Sequence, residues 1–180
     1  MRGIQKMDDL SNAFKVLKAA VGLCYCNDKS LIDRGMEQAC VARIFYYMQK
    51  IAEDESLLSE YNIDCEYNKN GEHVKRTPRC PNGARPDLIV HKREENSMNL
   101  LVVEFKSCRG RKKWLDLTTL KVSKTRGVNC QDMDVVKLED FTSRDCYGYK
   151  LGVFVKLKKS GAKYSFFRDG HNVQDFQEIL

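Results

Sequence analysis

Arg85-Pro86-Asp87-Leu88-Ile89-Val90-His91 and, after a polar stretch, Asn99-Leu100-Leu101-Val102-Val103-Glu104-Phe105-Lys106 are the two runs that decide how this chain folds. Each is a short apolar run bounded by polar or turn-forming sequence, the pattern of a buried β-strand. With residues 92–99 as the connection, the pair reads as a β-hairpin. In a hairpin the start of one strand lies beside the end of the other, so Asp87 comes next to Glu104 and Lys106. Glu104 and Lys106 are two residues apart and project from the same side of the sheet, a costly place for two charges among Leu100 and Val102. Two acids and an amine therefore converge. An Asp–Glu pair with a few waters suits a hard divalent cation held beside a phosphate. An amine at the same place orients the attacking water, or helps deprotonate it, and balances charge building on the phosphoryl oxygens. The outline is that of a phosphodiester-hydrolysis site.

Upstream of the hairpin, Leu10, Phe14, Leu17 and Val21 step by four, three and four, which predicts an amphipathic helix over 8–23. A polar break at Asn27-Asp28-Lys29 leads to Ser30-x-x-Asp33, read as the cap of a second helix running to about residue 52. On that helix Glu37, Val41, Ile44 and Met48 share one face, which sets a carboxylate among core residues. Glu37 is either a solvated acid on the first turn, favourable to the helix dipole, or a group aimed into a site. Tyr61, Ile63, Cys65 and Tyr67 alternate with polar residues and predict a strand, and Asn70-Gly71 marks a turn. All three prolines fall within residues 77–86, an irregular connection.

Downstream, a helix is expected over 132–141, a strand over 149–157 with Leu151, Val153, Val155 and Leu157 on one face, and a last strand over 164–167 after the Ser160-Gly161 turn. The order helix, helix, strand, strand, strand, helix, strand, strand predicts an α/β protein with a mixed central sheet flanked by helices. With 180 residues, 42% apolar and 31% charged, the chain fits a single domain over 1–180 and neither a disordered nor a membrane protein. The longest apolar run, 19–26, is far short of the roughly 20 residues of a membrane span, so no membrane partner is expected. The first residues lead into Asp8-Asp9 without the order of a secretory signal, and a cytoplasmic location is the expectation. Eight irregularly spaced cysteines then read as reduced thiols. Cys24-x-Cys26, the one near pair, is a poor match to zinc-ligand spacing.

Lys and Arg exceed Asp and Glu by 6, and the excess is concentrated. Lys106, Arg109, Arg111, Lys112, Lys113, Lys121, Lys124 and Arg126 face only Asp116 between residues 106 and 126. Such a run suits a phosphate backbone, which it positions without reading sequence. The last seven of these cations are the candidate nucleic-acid contacts. Trp114 within the run either stacks on a base or pins the loop to the core. Lysines 156, 158, 159 and 163 around the last turn either extend the basic surface or guard an edge strand.

Pro86-Asp87, a gap, then Glu104-Phe105-Lys106, with Glu37 on an upstream helix, resembles the PD-(D/E)xK nuclease superfamily of restriction-endonuclease-like fold. The stretch 64–68 together with the two strand runs is similar to small stand-alone microbial members. The resemblance spans about residues 35–157, with a basic insertion at about 107–131. It implies a core of helix, three antiparallel strands, helix and strand. It further implies a Mg²⁺- or Mn²⁺-dependent nuclease in which Asp87 and Glu104, assisted by Glu37, are metal ligands and Lys106 is the catalytic lysine. DNA rather than RNA is the expected substrate, and a homodimer or a separate specificity subunit is a possible assembly. The rival expectations are a catalytically inactive nucleic-acid-binding or assembly subunit of the same fold, and a protein whose basic loop docks on an acidic partner. The bland reading of the triad is a turn acid, Asp87, beside an exposed Glu104–Lys106 pair. His91, on the Asp87 face, either touches substrate or is a hydrogen-bonded strand histidine, and Glu66 is open in the same way. Asp134 and Lys137, one helical turn apart, are expected as a modest surface pair, with Lys137 a weak candidate for the site.

Overall fold

The computed structural model describes residues 2–107 and 130–173. Helix α1 (Arg2–Asn27) carries the expected stripe but outruns 8–23 at both ends. Its buried residues Leu10, Phe14, Leu17 and Val21 are joined by Ala13, Val16, Ala20 and Cys24, which widen the stripe into a face.

The second helix is not continuous. It is divided into α2 (Lys29–Asp33) and α3 (Glu37–Asp54). Gly35 takes φ 67, a left-handed conformation that glycine adopts without a Cβ clash, and its N–H and that of Met36 close the turn onto Ile32 and Leu31 carbonyls. Ser30 accordingly lies inside α2 rather than capping the long helix. Asp28, at the N-cap position, makes no side-chain cap bond because its carboxylate is engaged by Arg43 (3.0 Å) and the Tyr47 hydroxyl (2.7 Å) of α3. The break makes Glu37 the first residue of α3.

Strand β1 (Asn62–Cys65) is followed by the small hairpin β2 (Lys69–Asn70) and β3 (His73–Val74), which turns at Gly71. Then come β4 (Leu88–His91), β5 (Leu101–Ser107), α4 (Cys130–Thr142), β6 (Leu151–Lys158), β7 (Gly161–Arg168) and β8 (His171–Val173). The main sheet has six strands in the order β1-β4-β5-β6-β7-β8. It is mixed: β5 and β6 are parallel and the other neighbours antiparallel, with β4 and β5 forming the expected hairpin. β2, β3 and β8 are additions to the sequence reading. They are two or three residues long, too short for a period-two pattern to register.

Helices α1 and α3 cover one face of the sheet, where Leu88, Val90, Leu101, Val103, Phe105 and the 151/153/155/157 row meet them in the larger core. α4 covers the other, over Ile89, Val102, Phe154 and Phe167. Gly152 allows that approach. A Cβ there would lie 3.0 Å from Thr142 Cγ2 and 3.1 Å from Phe167 Cβ, so α4 sits as close to β6 as a bare backbone permits. Among the described residues no helix is long and apolar enough to cross a membrane, and Cys24, Cys26, Cys40, Cys65, Cys80 and Cys146 are free thiols.

Candidate active site

β5 outruns its partner. β4 pairs with it only as far as Leu88 opposite Val103, whereas β5 continues to Ser107. The N–H groups of Phe105 and Ser107 point along that vacated edge, and buried backbone donors need acceptors. Asp87 Oδ2 accepts from Phe105 N–H (2.7 Å) and Glu37 Oε2 from Ser107 N–H (2.7 Å). The Ser107 hydroxyl donates to the Gly35 carbonyl (3.2 Å), tying the helix break to the strand end. The frayed edge of one strand thus recruits two of the acids foreseen from sequence, and each spends one oxygen on it.

Glu104 stands opposite Asp87 by register and is 1% exposed. Its Oε2 accepts from Lys137 Nζ at 2.6 Å, while Oε1 is buried without a hydrogen-bond partner. Lys137 also lies 3.2 Å from Asp134 Oδ1. Lys106 Nζ lies 3.2 Å from Asp134 Oδ2 and 3.5 Å from Glu37 Oε1. The result is a chain of alternating charge, Glu37, Lys106, Asp134, Lys137, Glu104, closed by Asp87. The exposed Glu104–Lys106 pair of the bland reading is absent, because the two are partnered elsewhere and Glu104 is buried.

The protonation equilibria follow from this layout. Burial, then the facing Asp87 charge, pushes the Glu104 carboxyl well above its usual range, against the pull of Lys137. Burial also raises Asp87, opposed by the Phe105 N–H and Lys137. Burial disfavours the ammonium of Lys137, but Glu104 and Asp134 outweigh it and raise this lysine. In Lys106 burial acts likewise and is outweighed by Asp134 and Glu37. Both lysines are held as cations.

Asp134 and Lys137 correct the expected surface pair: their side chains are 12% and 17% exposed and belong to the cluster. Asp134 is the functional candidate missed from sequence. The signal was present, since Asp134, Lys137, Leu138 and Phe141 fall at i, i+3, i+4 and i+7 and set both charges on the face α4 turns to the sheet.

His91 lies elsewhere. Its Nε2 is 2.9 Å from Asp64 Oδ2, and Arg93 grips the same carboxylate through both oxygens (3.0 and 2.6 Å). Tyr67 meets the His91 ring edge-on. Burial raises the Asp64 carboxyl, but Arg93 and His91 outweigh it and hold it low. Burial lowers His91 despite Asp64. Beside this group Lys75 is 2% exposed, ringed by Tyr67, Tyr147 and Tyr149, and donates to the Tyr149 hydroxyl (3.1 Å). Glu66 faces Arg85 at the surface (3.3 Å) rather than the carboxylates, and only its backbone N–H reaches the carbonyl of Asp87 (3.0 Å). Arg109, Arg111, Lys112, Lys113, Trp114, Lys121, Lys124 and Arg126 lie outside the described residues.

Two clefts, of about 430 and 510 Å³, sit by the end of α3 and by the 142–150 loop, away from the carboxylates. No three His, Cys, Asp or Glu groups among the described residues converge into a ready metal cage. A magnesium-type ion does not need one: it binds through one or two carboxylates, with waters and substrate phosphate completing its shell. Two observations fit such an ion to this place. Glu104 Oε1 is a buried acceptor with no donor. Four carboxylates (Glu37, Asp87, Glu104, Asp134) face two ammonium groups, a formal deficit equal to one divalent cation. Compared with known protein families, characterised proteins and solved structures, the chain shows no match.

Proposed function

We propose that this chain is a metal-dependent nuclease that hydrolyses phosphodiester bonds, with DNA the expected substrate, and that its α3-β1-β4-β5-α4-β6 order is a restriction-endonuclease-like core. The observation that carries the reading is Glu104: a buried carboxylate in β5 just past the end of its pairing with β4, facing a half-buried second acid, with one oxygen unpartnered. A structural ion pair would be satisfied; this arrangement is completed by a cation.

Asp87 and Glu104 are the residues to hold Mg²⁺ or Mn²⁺, with Glu37 assisting from the α3 side. When bound, the ion supplies Lewis-acid polarisation of the phosphoryl oxygens and a more acidic water. Lys106, held as an ammonium by Asp134 and Glu37, orients the attacking water and balances the charge that builds on the phosphorus oxygens. Lys137 keeps the Glu104 carboxylate in place through a 2.6 Å bond. The Phe105 and Ser107 N–H bonds fix the rotamers of Asp87 and Glu37, so the acids are positioned before substrate arrives.

The test is cleavage of labelled duplex DNA, single-stranded DNA and RNA by metal-stripped protein with Mg²⁺ or Mn²⁺ restored, beside Lys106→Ala. The expected result is metal-dependent cutting that the variant loses. One observation favours a second reading. The Lys137–Glu104 pair already places a positive charge against the buried acid, as in an inactive binding or assembly subunit where lysine substitutes for the ion. That reading gains if wild type binds nucleic acid and cuts with neither metal.

A further inference from the structure

Three lysines stand in one row across the sheet. Lys106 of β5 is in register with Lys156 of β6, which is in register with Lys163 of β7. All three project from the face that carries Glu104, because Glu104, Phe154 and Ser165 form the adjoining row two residues away. Lys106 ends the row inside the carboxylate cluster. Lys156 and Lys163 have no ion-pair partner among the described residues. Like charges directly opposite one another on adjacent strands are unfavourable. Edge protection does not account for Lys156, on a strand flanked by β5 and β7. Beside these two lysines a cleft of about 210 Å³ opens, walled by Val135 of α4, floored by Phe154 and Phe167, and edged by Ser165 and Asn172.

We propose that Lys156 and Lys163 bind backbone phosphates next to the one at Asp87 and Glu104, so that a nucleic-acid strand crosses β5, β6 and β7 at right angles to them. With neighbouring strands about 4.8 Å apart, the row spans about 10 Å, the reach of two to three successive nucleotides. Ammonium groups grip phosphate oxygens without reading base identity, and Ser165 and Asn172 add uncharged donors to the same cleft. The inference names the substrate track of the site proposed above and rests on that site for its starting phosphate.

The experiment is a salt titration of binding to fluorescein-labelled single-stranded and duplex DNA in the absence of Mg²⁺ and Mn²⁺. It compares wild type, Lys156→Gln, Lys163→Gln, the double variant and, as an off-row control, Lys159→Gln, with cleavage measured in parallel and folding checked by thermal melts. Each row variant is expected to reduce the slope of log affinity against log salt by about 0.7 on single strands and about 0.9 on duplex, and the double variant by about twice that, on every sequence alike. Lys159→Gln should leave the slope unchanged. A double variant that melts like wild type and keeps the wild-type slope overturns the track, even if wild type cuts. If wild type fails to cut yet the double variant loses the two increments, the track stands and the hydrolytic reading falls. Wild type that binds neither DNA removes both.

Discussion

Two polar clusters lie on the same face of the sheet, and they solve burial in opposite ways. Around Asp64 the donors are sufficient: His91 and two guanidinium nitrogens of Arg93, Nε and Nη2, serve one carboxylate, which is held below its usual range. Around Glu104 they are not: a second acid faces it, one oxygen is unpartnered, and the carboxyl is pushed up. Both clusters are buried and charged, so burial alone does not mark a functional site. A deficit of partners is what singles out Glu104 as the proposed site. Satisfied networks lock a fold in place, whereas an unsatisfied one costs stability and is retained where a ligand completes it.

Asp87→Asn tests the contrast most severely. Asparagine keeps an acceptor for the Phe105 N–H and removes a half-buried negative charge. Cleavage should fall by at least about 10²-fold while the melting temperature holds or rises. A variant that cuts normally, or one that unfolds, would make Asp87 a strand cap and nothing more.

The mirror experiment is Asp64→Ala, which strands Arg93 and His91. It should cost on the order of 2–4 kcal/mol in denaturant unfolding with cutting per folded molecule unchanged. Loss of cutting without loss of stability would exchange the roles of the two clusters.

Lys75 sharpens the comparison through pH. Burial among tyrosines pushes this lysine down from 10.5 to about 8, with only a small upward pull from Asp64. Between those values the unfolded chain holds the proton and the folded chain does not, so this group adds stability as pH rises through about 8. Below that pH its burial is a net cost. Burial raises the thiols of Cys65 and Cys146, the latter to about 11, and they act in the opposite sense. The quantity to measure is therefore the difference between wild type and Lys75→Met. That difference should move by about 2 kcal/mol in favour of wild type from pH 7 to 9.5. A pH-independent difference would place Lys75 outside its aromatic ring.

The smallest effect is expected from Gly152→Ala. The added methyl pushes on Thr142 and Phe167 and lifts α4, at about 1 kcal/mol. Because Asp134 and Lys137 ride on α4, cutting should drop while the pH behaviour of Lys75 is retained. Equal damage to both would show that the clusters are not independent.

Much of this was legible one residue at a time. The alternation and apolar runs located β1, β4, β5, β6 and β7, and the antiparallel pairing of two consecutive strands sufficed to set Asp87 opposite Glu104, because register is fixed where a strand's faces are buried. The helix stripe placed Glu37 on a core-facing edge. What misled was the Ser30 cap: its side-chain chemistry was right for a helix start, but Gly35 broke the helix and moved the start to Glu37. Asp134 was missed because a charged i, i+3 pair is ordinary on a solvated helix face and extraordinary on a buried one. Only the packing distinguishes the two.

The sequence by itself determined the longer strands, the helical stretches and the β4–β5 hairpin that sets Asp87 opposite Glu104, since these follow from periodicity and from contacts across one hairpin. Tertiary structure decided which charges share a site. Glu37 reaches Ser107 over 70 positions of chain and Lys137 reaches Glu104 over 33. The Lys106, Lys156 and Lys163 row exists only because a parallel crossover sets β6 beside β5 in that register. Such long-range encounters depend on how α3 and α4 dock against the sheet, and docking is settled by the close approach at Gly152 and the two cores rather than by any local pattern.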